Sequence, residues 1–289
     1  MTTRDSDALR SAGPLTRLGL GRVTRAAAEQ LGDALQELRA RPKMAQLKLD
    51  PEQRQILDQL NRHGVVAVEG YWPRERALAL RDALADYAAL GEDRDFDGGA
   101  YLRCWNHDRP KLPEMPQEDL GITRLYHLDK LLPELAEFRF EPFVLNLASA
   151  YYRVPMYSGM LQFQYNRADT NETRYYHVDA FHKEFKAFLY LDDVEVYNGP
   201  FMYLKGSHRA GFVRWKKQLL GNSRGALTSF YPCDLKGLLD REQSIVGPAG
   251  TLILADVRGL HRGGPQQAAS RSVLVNYIYK HPHEYRPDR

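Results

Sequence analysis

The stretch Phe185-Lys186-Ala187-Phe188-Leu189-Tyr190-Leu191 is a short run of mainly aromatic and leucine side chains, which favours a β-strand. Similar runs occur at 160–165, 201–204, 251–255 and 273–279. Turn residues separate them, as in Asn198-Gly199-Pro200 and Gly247-Pro248-Ala249-Gly250. Many short strands separated by turns predict a β-sandwich or barrel for the second half of the chain, rather than an alternating parallel sheet.

The first half has the patterns of helices. Asp50-Pro51-Glu52-Gln53 is typical of a helix start, with Asp50 as N-cap, and Gly64 can end that helix in a left-handed conformation. Ile56 and Leu60 give this helix one apolar stripe. Val65-Val66-Ala67-Val68 then predicts a strand.

A second helix is expected after Pro73, with Leu80, Leu84 and Tyr87 on one face and an end near Gly91. Residues 130–152 predict two further helical pieces. Helices followed by strands indicate the α+β class.

Composition narrows the function classes. The chain has 289 residues, 43% apolar and 27% charged, and 40 basic against 37 acidic residues give a formal charge of +3. This balance does not favour a nucleic-acid partner, and no apolar run approaches the roughly 20 residues of a membrane span. Two cysteines exclude a disulfide framework and a cysteine-rich zinc module. We expect a soluble cytoplasmic protein that binds neither nucleic acid nor membrane.

The first 45 residues are rich in Ala and Arg. They also carry Asp5, Asp7, Glu29 and Asp33, whereas mitochondrial transit peptides avoid acidic residues. Residues 1–45 are therefore predicted to be a partly disordered extension with a helix over 23–41. Residues 46–289 are predicted to form the main domain.

The strongest chemical signal is His177-Val178-Asp179 together with the distant His261. Residues i and i+2 of an extended chain project to the same side, so His177 and Asp179 can reach one ion. Alone, a His-x-Asp sequence is more typical of a solvated surface pair. Two imidazoles and one carboxylate, however, are the ligand set of non-haem Fe(II) oxygenases, which leaves further coordination positions open. His261 follows the predicted strand 251–255 and would complete this set.

Arg271 lies ten residues after His261, at the start of the next apolar strand. A guanidinium at the floor of a barrel is suited to binding the carboxylate of a dicarboxylate cosubstrate. A salt bridge at the barrel rim is the alternative.

Taken in order, these pieces resemble the phytanoyl-CoA dioxygenase (PhyH-like) family of Fe(II)/2-oxoglutarate oxygenases. The similarity spans residues 48–280 and also includes Asn61-Arg62-His63-Gly64-Val65-Val66-Ala67-Val68-Glu69-Gly70-Tyr71, Leu191-Asp192-Asp193-Val194, Asn198-Gly199-Pro200 and Gly206-Ser207-His208-Arg209. The resemblance implies a double-stranded β-helix, a jelly-roll or cupin-like barrel, flanked by N-terminal helices.

The resemblance also implies the site. His177, Asp179 and His261 would bind iron, and Arg271 would bind the distal carboxylate of 2-oxoglutarate. With O2, such an enzyme oxidises a C–H bond of a small molecule and releases succinate and CO2. Halogenating relatives replace the carboxylate ligand with a small residue, so the intact Asp179 favours hydroxylation, desaturation or ring formation.

Two strands offer further pocket residues. Gln162, Gln164 and Asn166 share one strand face, which either meets solvent or lines the pocket. The resemblance favours the pocket, and Gln164 is ranked above Gln162 as a cosubstrate contact. Lys186, Phe188 and Tyr190 share a face that is open to solvent or, alternatively, brings Tyr190 to the cosubstrate.

Other histidines and a long insertion complete the expectations. His182 and His208 are expected to be structural, with His208 bonding the turn at Gly206-Ser207. Residues 205–245 form an insertion in which Arg214, Trp215 and Lys216 belong either to a solvated face or to a lid over an anionic substrate.

Three functions remain open at this point. The substrate of an oxygenase would be an anionic small molecule or a natural-product scaffold. A zinc- or manganese-dependent hydrolase or isomerase could use the same triad without needing Arg271. A non-catalytic β-barrel binding protein would need neither the triad nor Arg271. The sequence does not determine the oligomeric state.

Overall fold

A computed structural model describes residues 20–105, 121–168, 176–179, 182–209, 229–230, 235, 237–267 and 269–282. Residues 1–19 of the predicted extension lie outside this part of the chain, as do Arg214, Trp215 and Lys216 of the predicted lid. The remaining predicted site residues lie within it.

The described helices are α1 (Leu20–Met44), α2 (Pro51–His63), α3 (Arg74–Ala83), α4 (Ala85–Ala89), α5 (Ala136–Arg139) and α6 (Pro142–Tyr152). The described strands are β1 (Val65–Val68), β2 (Arg94–Asp95), β3 (Tyr101–Trp105), β4 (Ile122–Tyr126), β5 (Tyr157–Asn166), β6 (Tyr176–His177), β7 (Glu184–Tyr190), β8 (Phe201–Leu204), β9 (Ser229–Phe230), β10 (Glu242–Ile245), β11 (Leu252–Asp256), β12 (His261–Gly263) and β13 (Arg271–Tyr279).

Helix α2 forms as its sequence predicts. The Asp50 carboxylate accepts from the Gln53 backbone N–H at 2.8 Å, and the Gln53 side chain accepts from the Asp50 backbone N–H at 3.2 Å. This reciprocal pair is a capping box. Gly64 ends the helix at φ 82°, and Ile56 and Leu60 are buried.

The helix predicted after Pro73 is instead two helices. The break is at Leu84 (φ −96°, ψ −1°), which follows α3 and precedes α4. Leu84 is fully buried, and Leu80 and Tyr87 pack against the same core, so the predicted apolar face is kept across the break.

The strands build two antiparallel sheets. One has the order β1-β11-β7-β13-β5-β4-β3-β2 and the other the order β10-β8-β12-β6-β9. Their inner faces enclose one cavity, which side chains from β5, β7 and β13 of the first sheet and from β8 and β12 of the second line together. This arrangement confirms the predicted α+β class and the double-stranded β-helix with N-terminal helices.

Three strands that precede Pro155 are not predicted from the sequence patterns. β2, β3 and β4 extend the larger sheet through pairing of β4 with β5. β3 and β4 each carry an arginine between apolar residues, which weakens a strand signal read from composition. Within the predicted insertion 205–245, residues 242–245 form β10, which pairs with β8.

The helices cover the outer face of the larger sheet. Leu60 of α2 and Leu147 of α6 belong to one buried cluster with Leu189 of β7 and Leu252 of β11. Strand β7 therefore gives its apolar side chains to this helical layer and turns its other face to the cavity. None of the described helices is long and apolar enough to cross a membrane.

Candidate metal centre and cavity

Sheet pairing brings the three predicted metal ligands together. His177 ends β6 and His261 begins β12, and these two residues are register partners in the smaller sheet. Partners in an antiparallel pair project to the same side, and the two imidazole centroids are 4.5 Å apart. Asp179 follows His177 by two residues and is anchored by its backbone N–H, which donates to the Val257 carbonyl at 3.1 Å.

The distances within the triad fit one ion. His261 Nε2 lies 3.2 Å from Asp179 Oδ2, and His177 Nε2 lies 3.8 Å from Asp179 Oδ1. One ligand atom from each residue lies within 4.8 Å of the others. Ligand atoms that bind one ion at about 2.1 Å and at right angles are about 3 Å apart. The triad is thus close to the spacing that a bound metal requires.

The orientation of His261 is set by a backbone carbonyl. Its Nδ1 lies 2.9 Å from the Gly259 oxygen. If Nδ1 carries the proton and donates to this carbonyl, Nε2 faces Asp179 with a free lone pair, which is the tautomer a metal ligand needs. His261 is 3% exposed, so this orientation is protected from water.

The loop before His261 is fixed by Tyr203 and Asp256. The Tyr203 hydroxyl donates to the Asp256 carbonyl at 2.8 Å, and the Gly259 backbone N–H donates to the same carbonyl at 3.0 Å. A β-carbon at position 259 would lie 1.7 Å from the Tyr203 hydroxyl oxygen. The close approach of Tyr203 therefore requires glycine at 259.

The Asp256 side chain also stabilises this loop. Its buried carboxylate accepts from the hydroxyls of Tyr151 and Tyr152, both at 2.8 Å, and pairs with Arg258 at 2.7 Å. Burial alone would raise the pKa of Asp256, but Arg258 and the two hydroxyl donors lower it to about 2. Asp256 is therefore a charged structural group at neutral pH.

Asp179 has an unusual electrostatic environment. Lys186 Nζ lies 2.9 Å from Asp179 Oδ2. Burial would raise the pKa of Asp179, but Lys186 and His261 hold it well below its usual range. Although two nitrogens approach this buried Oδ2, no well-aligned hydrogen bond reaches it from the described residues. A charged carboxylate with one buried oxygen that is still open to a ligand fits a metal site.

Arg271 lies at the other end of the cavity. It is 5% exposed, and its guanidinium donates to the Gly199 carbonyl and, at 3.2 Å, to Asn166 Oδ1. Its buried Nε has no hydrogen-bond partner among the described residues, and no carboxylate there forms an ion pair with it. Burial lowers the pKa of Arg271, although Tyr190 and Asp192 oppose the shift. The guanidinium can therefore still bind a carboxylate.

The glutamine face turns inward and forms a chain of amides. Gln162 Nε2 donates to Gln164 Oε1 at 3.3 Å, and Gln164 Nε2 donates to Asn166 Oδ1 at 2.9 Å. The solvent-facing alternative is wrong, since all three are buried. Gln164 lines the cavity together with Arg271 and the triad, whereas Gln162 does not reach its surface.

The inner face of β7 also lines the cavity. Lys186, Phe188 and Tyr190 all point inward, so the solvent-facing interpretation of this strand is wrong. The Tyr190 hydroxyl donates to the Ile245 carbonyl at 2.7 Å and accepts from the Phe201 backbone N–H at 3.0 Å. The ring of Tyr190 therefore lines the cavity, while its hydroxyl is engaged in these two hydrogen bonds.

The two histidines predicted to be structural, His182 and His208, do not line the cavity. His182 is half exposed and lies 3.8 Å from Glu184. His208 does not bond its own turn as predicted, because its Nε2 lies 3.4 Å from the Asn61 carbonyl at the end of α2.

Three basic residues of the cavity, Lys186, Arg124 and Arg262, are not assigned from the sequence. Lys186 carried a signal, since a lysine in the middle of an apolar strand is unusual. Arg124 of β4 carried none, because its strand was not recognised. Arg124 lines the cavity, which has a volume of about 340 Å³, and its Nε donates to Gln164 Oε1 at 3.1 Å.

Comparison with known proteins identifies the fold. No protein-family profile and no curated protein sequence matches the chain. Solved structures do match. The epimerase SnoN from nogalamycin biosynthesis, in complex with Fe3+, alpha ketoglutarate and nogalamycin RO, is 16% identical with a TM-score of 0.56, over 79% of this chain and 84% of that one.

Two further structures are similar to the same extent. HygX from Streptomyces hygroscopicus, with nickel and 2-oxoglutarate bound, is 17% identical with a TM-score of 0.53, over 83% of this chain and 91% of its own. EctD from S. alaskensis with bound Fe is 16% identical with a TM-score of 0.58, over 83% and 82% of the two chains. At these identities the likeness establishes a shared fold.

Proposed function

We propose that the protein is a non-haem Fe(II)- and 2-oxoglutarate-dependent dioxygenase of the phytanoyl-CoA dioxygenase-like family, which hydroxylates a C–H bond of a small molecule and releases succinate and CO2. One observation carries the proposal. A 2-His-1-carboxylate cluster and a buried arginine without an anionic partner among the described residues line the same cavity. A hydrolase or isomerase would use the cluster but would have no need of Arg271.

His177, Asp179 and His261 would hold the iron. Three ligands on one side leave further coordination positions for a chelating cosubstrate and for O2. Bound Fe(II), with 2-oxoglutarate and O2, supplies the oxidation that breaks a C–H bond. Gly259 keeps His261 in the ligating tautomer by accepting from Nδ1, so the protein contributes ligand orientation before any metal arrives.

Arg271 would bind the distal carboxylate of 2-oxoglutarate through charge-assisted hydrogen bonds. Its attachment to Gly199 and Asn166 limits its motion and fixes the direction from which the carboxylate approaches. Gln164, between Arg271 and Arg124, supplies an amide to the same region. The rings of Phe188 and Tyr190 give the same cavity an apolar surface on its β7 side.

The solved structures of similar fold support this proposal. SnoN, HygX and EctD are each described with iron or nickel, with alpha ketoglutarate or 2-oxoglutarate, or with both. SnoN and HygX were also solved with nogalamycin RO and hygromycin B, so a natural-product scaffold is the substrate class we favour.

Epimerisation is the second candidate outcome, because SnoN is an epimerase with this fold. Product mass separates the two reactions. Hydroxylation adds one oxygen atom to the substrate, whereas epimerisation leaves the mass unchanged and alters the stereocentre.

The proposal is tested by adding Fe(II) and then 2-oxoglutarate to the protein under anaerobic conditions. We expect a visible metal-to-ligand charge-transfer band that decays when oxygen is admitted, with formation of succinate. His177→Ala and Arg271→Ala serve as controls, since the first removes a metal ligand and the second leaves the triad intact. A wild-type protein that binds Fe(II) but gives neither band nor succinate would support the hydrolase or isomerase instead.

A further inference from the structure

Lys186 places a second positive charge directly beside the metal centre. It lies on the inner face of β7, is 7% exposed, and its Nζ is 2.9 Å from Asp179 Oδ2. His261 Nε2 approaches the same oxygen at 3.2 Å. A carboxylate oxygen has two lone pairs, so Asp179 Oδ2 can accept from an ammonium group while the carboxylate also binds an ion.

Lys186 has two further neighbours besides Asp179, an aromatic ring and a carboxylate. Nζ lies 4.0 Å from the centre of the Tyr277 ring and 4.0 Å from Glu184 Oε1. Burial raises the pKa of Glu184 to about 7, so at neutral pH Glu184 offsets the ammonium charge only in part.

Lys186 and Arg271 approach the cavity from opposite ends of the same strand pair. Lys186 is the register partner of Tyr277 near the end of β13, whereas Arg271 begins that strand, two residues before the pairing of Val273 with Tyr190. The backbone positions of Arg271 and Tyr277 are six residues of strand apart, which corresponds to about 20 Å. Lys186 contacts the triad at Asp179, whereas Arg271 contacts Gly199 and Asn166, so the two cations serve different ends of the cavity.

We propose that Lys186 shares the Asp179 carboxylate with the metal ion, and thereby weakens the binding of a divalent cation on its own while strengthening the binding of a dianionic cosubstrate to the metal-loaded site. This proposal rests on the proposed function and specifies how the site favours the complete set of ligands over the metal alone.

Charge balance is the physical reason. Two neutral imidazoles and one carboxylate leave a divalent ion with a surplus of one positive charge, and Lys186 raises the surplus to two. Like charges in a partly dry cavity repel strongly, which opposes the cation. At the metal end, the near carboxylate of 2-oxoglutarate would offset one of these charges, while its distal carboxylate pairs with Arg271. Lys186 thus weakens the binding of the metal ion and strengthens the binding of the anionic cosubstrate.

The experiment compares Lys186→Met with Lys186→Arg and Lys183→Met. Lys183 is a matched control, because it is buried three residues away but pairs with Glu37 at 2.5 Å, outside the described cavity lining. The Kd of Mn(II) without cosubstrate is measured by electron paramagnetic resonance. The Kd of 2-oxoglutarate is measured on the anaerobic Fe(II) protein from the charge-transfer band.

For Lys186→Met we expect Mn(II) to bind about tenfold more tightly and 2-oxoglutarate about tenfold more weakly, the opposite signs that removal of one buried positive charge requires. Lys186→Arg and Lys183→Met should keep both constants near the wild-type values. If Lys186→Met does not fold by circular dichroism, Lys186→Gln removes the same charge and is held to the same expectation.

Other outcomes overturn the proposal. Weaker binding of both ligands would mean that Lys186 only orients Asp179. Weaker 2-oxoglutarate binding with an unchanged Mn(II) constant would mean that Lys186 contacts the anion directly. Unchanged constants would leave Lys186 without influence on the site. A wild-type protein that binds Mn(II) and Fe(II) but not 2-oxoglutarate would instead contradict the proposed function, while the Mn(II) comparison would still test the effect of Lys186.

Discussion

At one end of the cavity the two histidines of the triad stand on strands of two and three residues, β6 and β12, whereas at the other end Arg271 begins the nine-residue strand β13. β13 is paired with β5 from Arg271 onward and with β7 from Val273 onward, so Arg271 begins a strand that long ladders of backbone hydrogen bonds hold in place. The triad rests on shorter ladders: His261 is paired with His177 and with Tyr203, but Asp179 lies beyond the end of β6, so the triad geometry depends more on side chains and a loop.

Because of this difference, the two ends of the cavity should respond differently to substitutions. At the metal end, single contacts hold the ligands: Gly259 orients His261, Tyr203 holds the loop, and Lys186 contacts Asp179. A small change there should displace a ligand. At the Arg271 end, the backbone stays in place when a side chain is changed, so a substitution should remove one interaction and leave the rest.

Removal of a triad residue should have the largest effect. We expect His177→Ala, Asp179→Ala or His261→Ala to reduce succinate formation by about 1,000-fold or more, because the metal supplies several kcal/mol of transition-state stabilisation and roughly 1.4 kcal/mol corresponds to tenfold. Succinate is measured with saturating Fe(II). Circular dichroism should remain that of the wild type, and wild-type turnover in any of the three would contradict the ligand assignment.

Arg271→Ala should have the next largest effect, and of a different kind. We expect the Kd of 2-oxoglutarate to rise about 100-fold, within the roughly 1.5–3 kcal/mol of a hydrogen bond to a charged group, while the Kd of Mn(II) stays unchanged. Spectral titration measures the first and electron paramagnetic resonance the second. A large loss of metal binding would show that the two ends of the cavity are not independent.

The buried carboxylate of Asp256, in the loop before His261, should make the stability of the protein depend on pH. Its pKa is about 2 in the folded protein, against 3.8 for the ordinary carboxyl. A lowered pKa gives stability that is present above about pH 4 and is lost as the pH falls towards 2, and the difference corresponds to about 2 kcal/mol. Asp256→Asn should lose about this much unfolding free energy at pH 7 and show a flatter acid limb in urea denaturation.

Asp193 provides the control for Asp256. Its pKa is also lowered to about 2, through Arg74, but both partners are about half exposed. Exposed ion pairs are screened by water and salt. Asp193→Asn should therefore change the unfolding free energy much less than Asp256→Asn, and equal losses would show that burial does not decide the value of these pairs.

Gly259→Ala tests the loop itself. The added β-carbon would meet the Tyr203 hydroxyl, so the loop must shift and carry the carbonyl that orients His261. We expect metal affinity to fall about tenfold, at the lower end of the 10–100-fold typical of residues that support a metal ligand. Gly32→Ala is the control, since a β-carbon there meets nothing within 4 Å.

The sequence predicts those elements well whose signal lies in neighbouring residues. It predicts poorly the contacts that depend on strand pairing. The capping box of α2 and the five apolar strands depend on neighbouring residues, and they form close to the predicted positions. His177 and Asp179 could be chosen from their spacing, but their closeness to His261 depends on the pairing of β6 with β12.

The missed residues have the same explanation. Lys186 could not be matched to Asp179 from the sequence, because the contact requires the inner face of β7 to be known. Arg124 belongs to β4, a strand recognised only through its pairing with β5. Side chains that support the site thus come from the elements with the weakest sequence patterns.

Gln164 and Gln162 give the smallest expected effect and the finest test of the contrast between the two ends. Both lie on β5, two residues apart, and they are hydrogen-bonded to each other, but only Gln164 lines the cavity. Gln164→Ala should raise the Kd of 2-oxoglutarate by about fivefold, the effect of one neutral hydrogen bond of about 1 kcal/mol, and leave the Kd of Mn(II) unchanged. Gln162→Ala removes a buried amide that accepts from the Tyr277 hydroxyl at 3.1 Å, so it should lower the unfolding free energy with little effect on the Kd of either ligand. If both variants raised the Kd equally, the amides would act as one network, and β5 would be less rigid around Arg271 than its pairing implies.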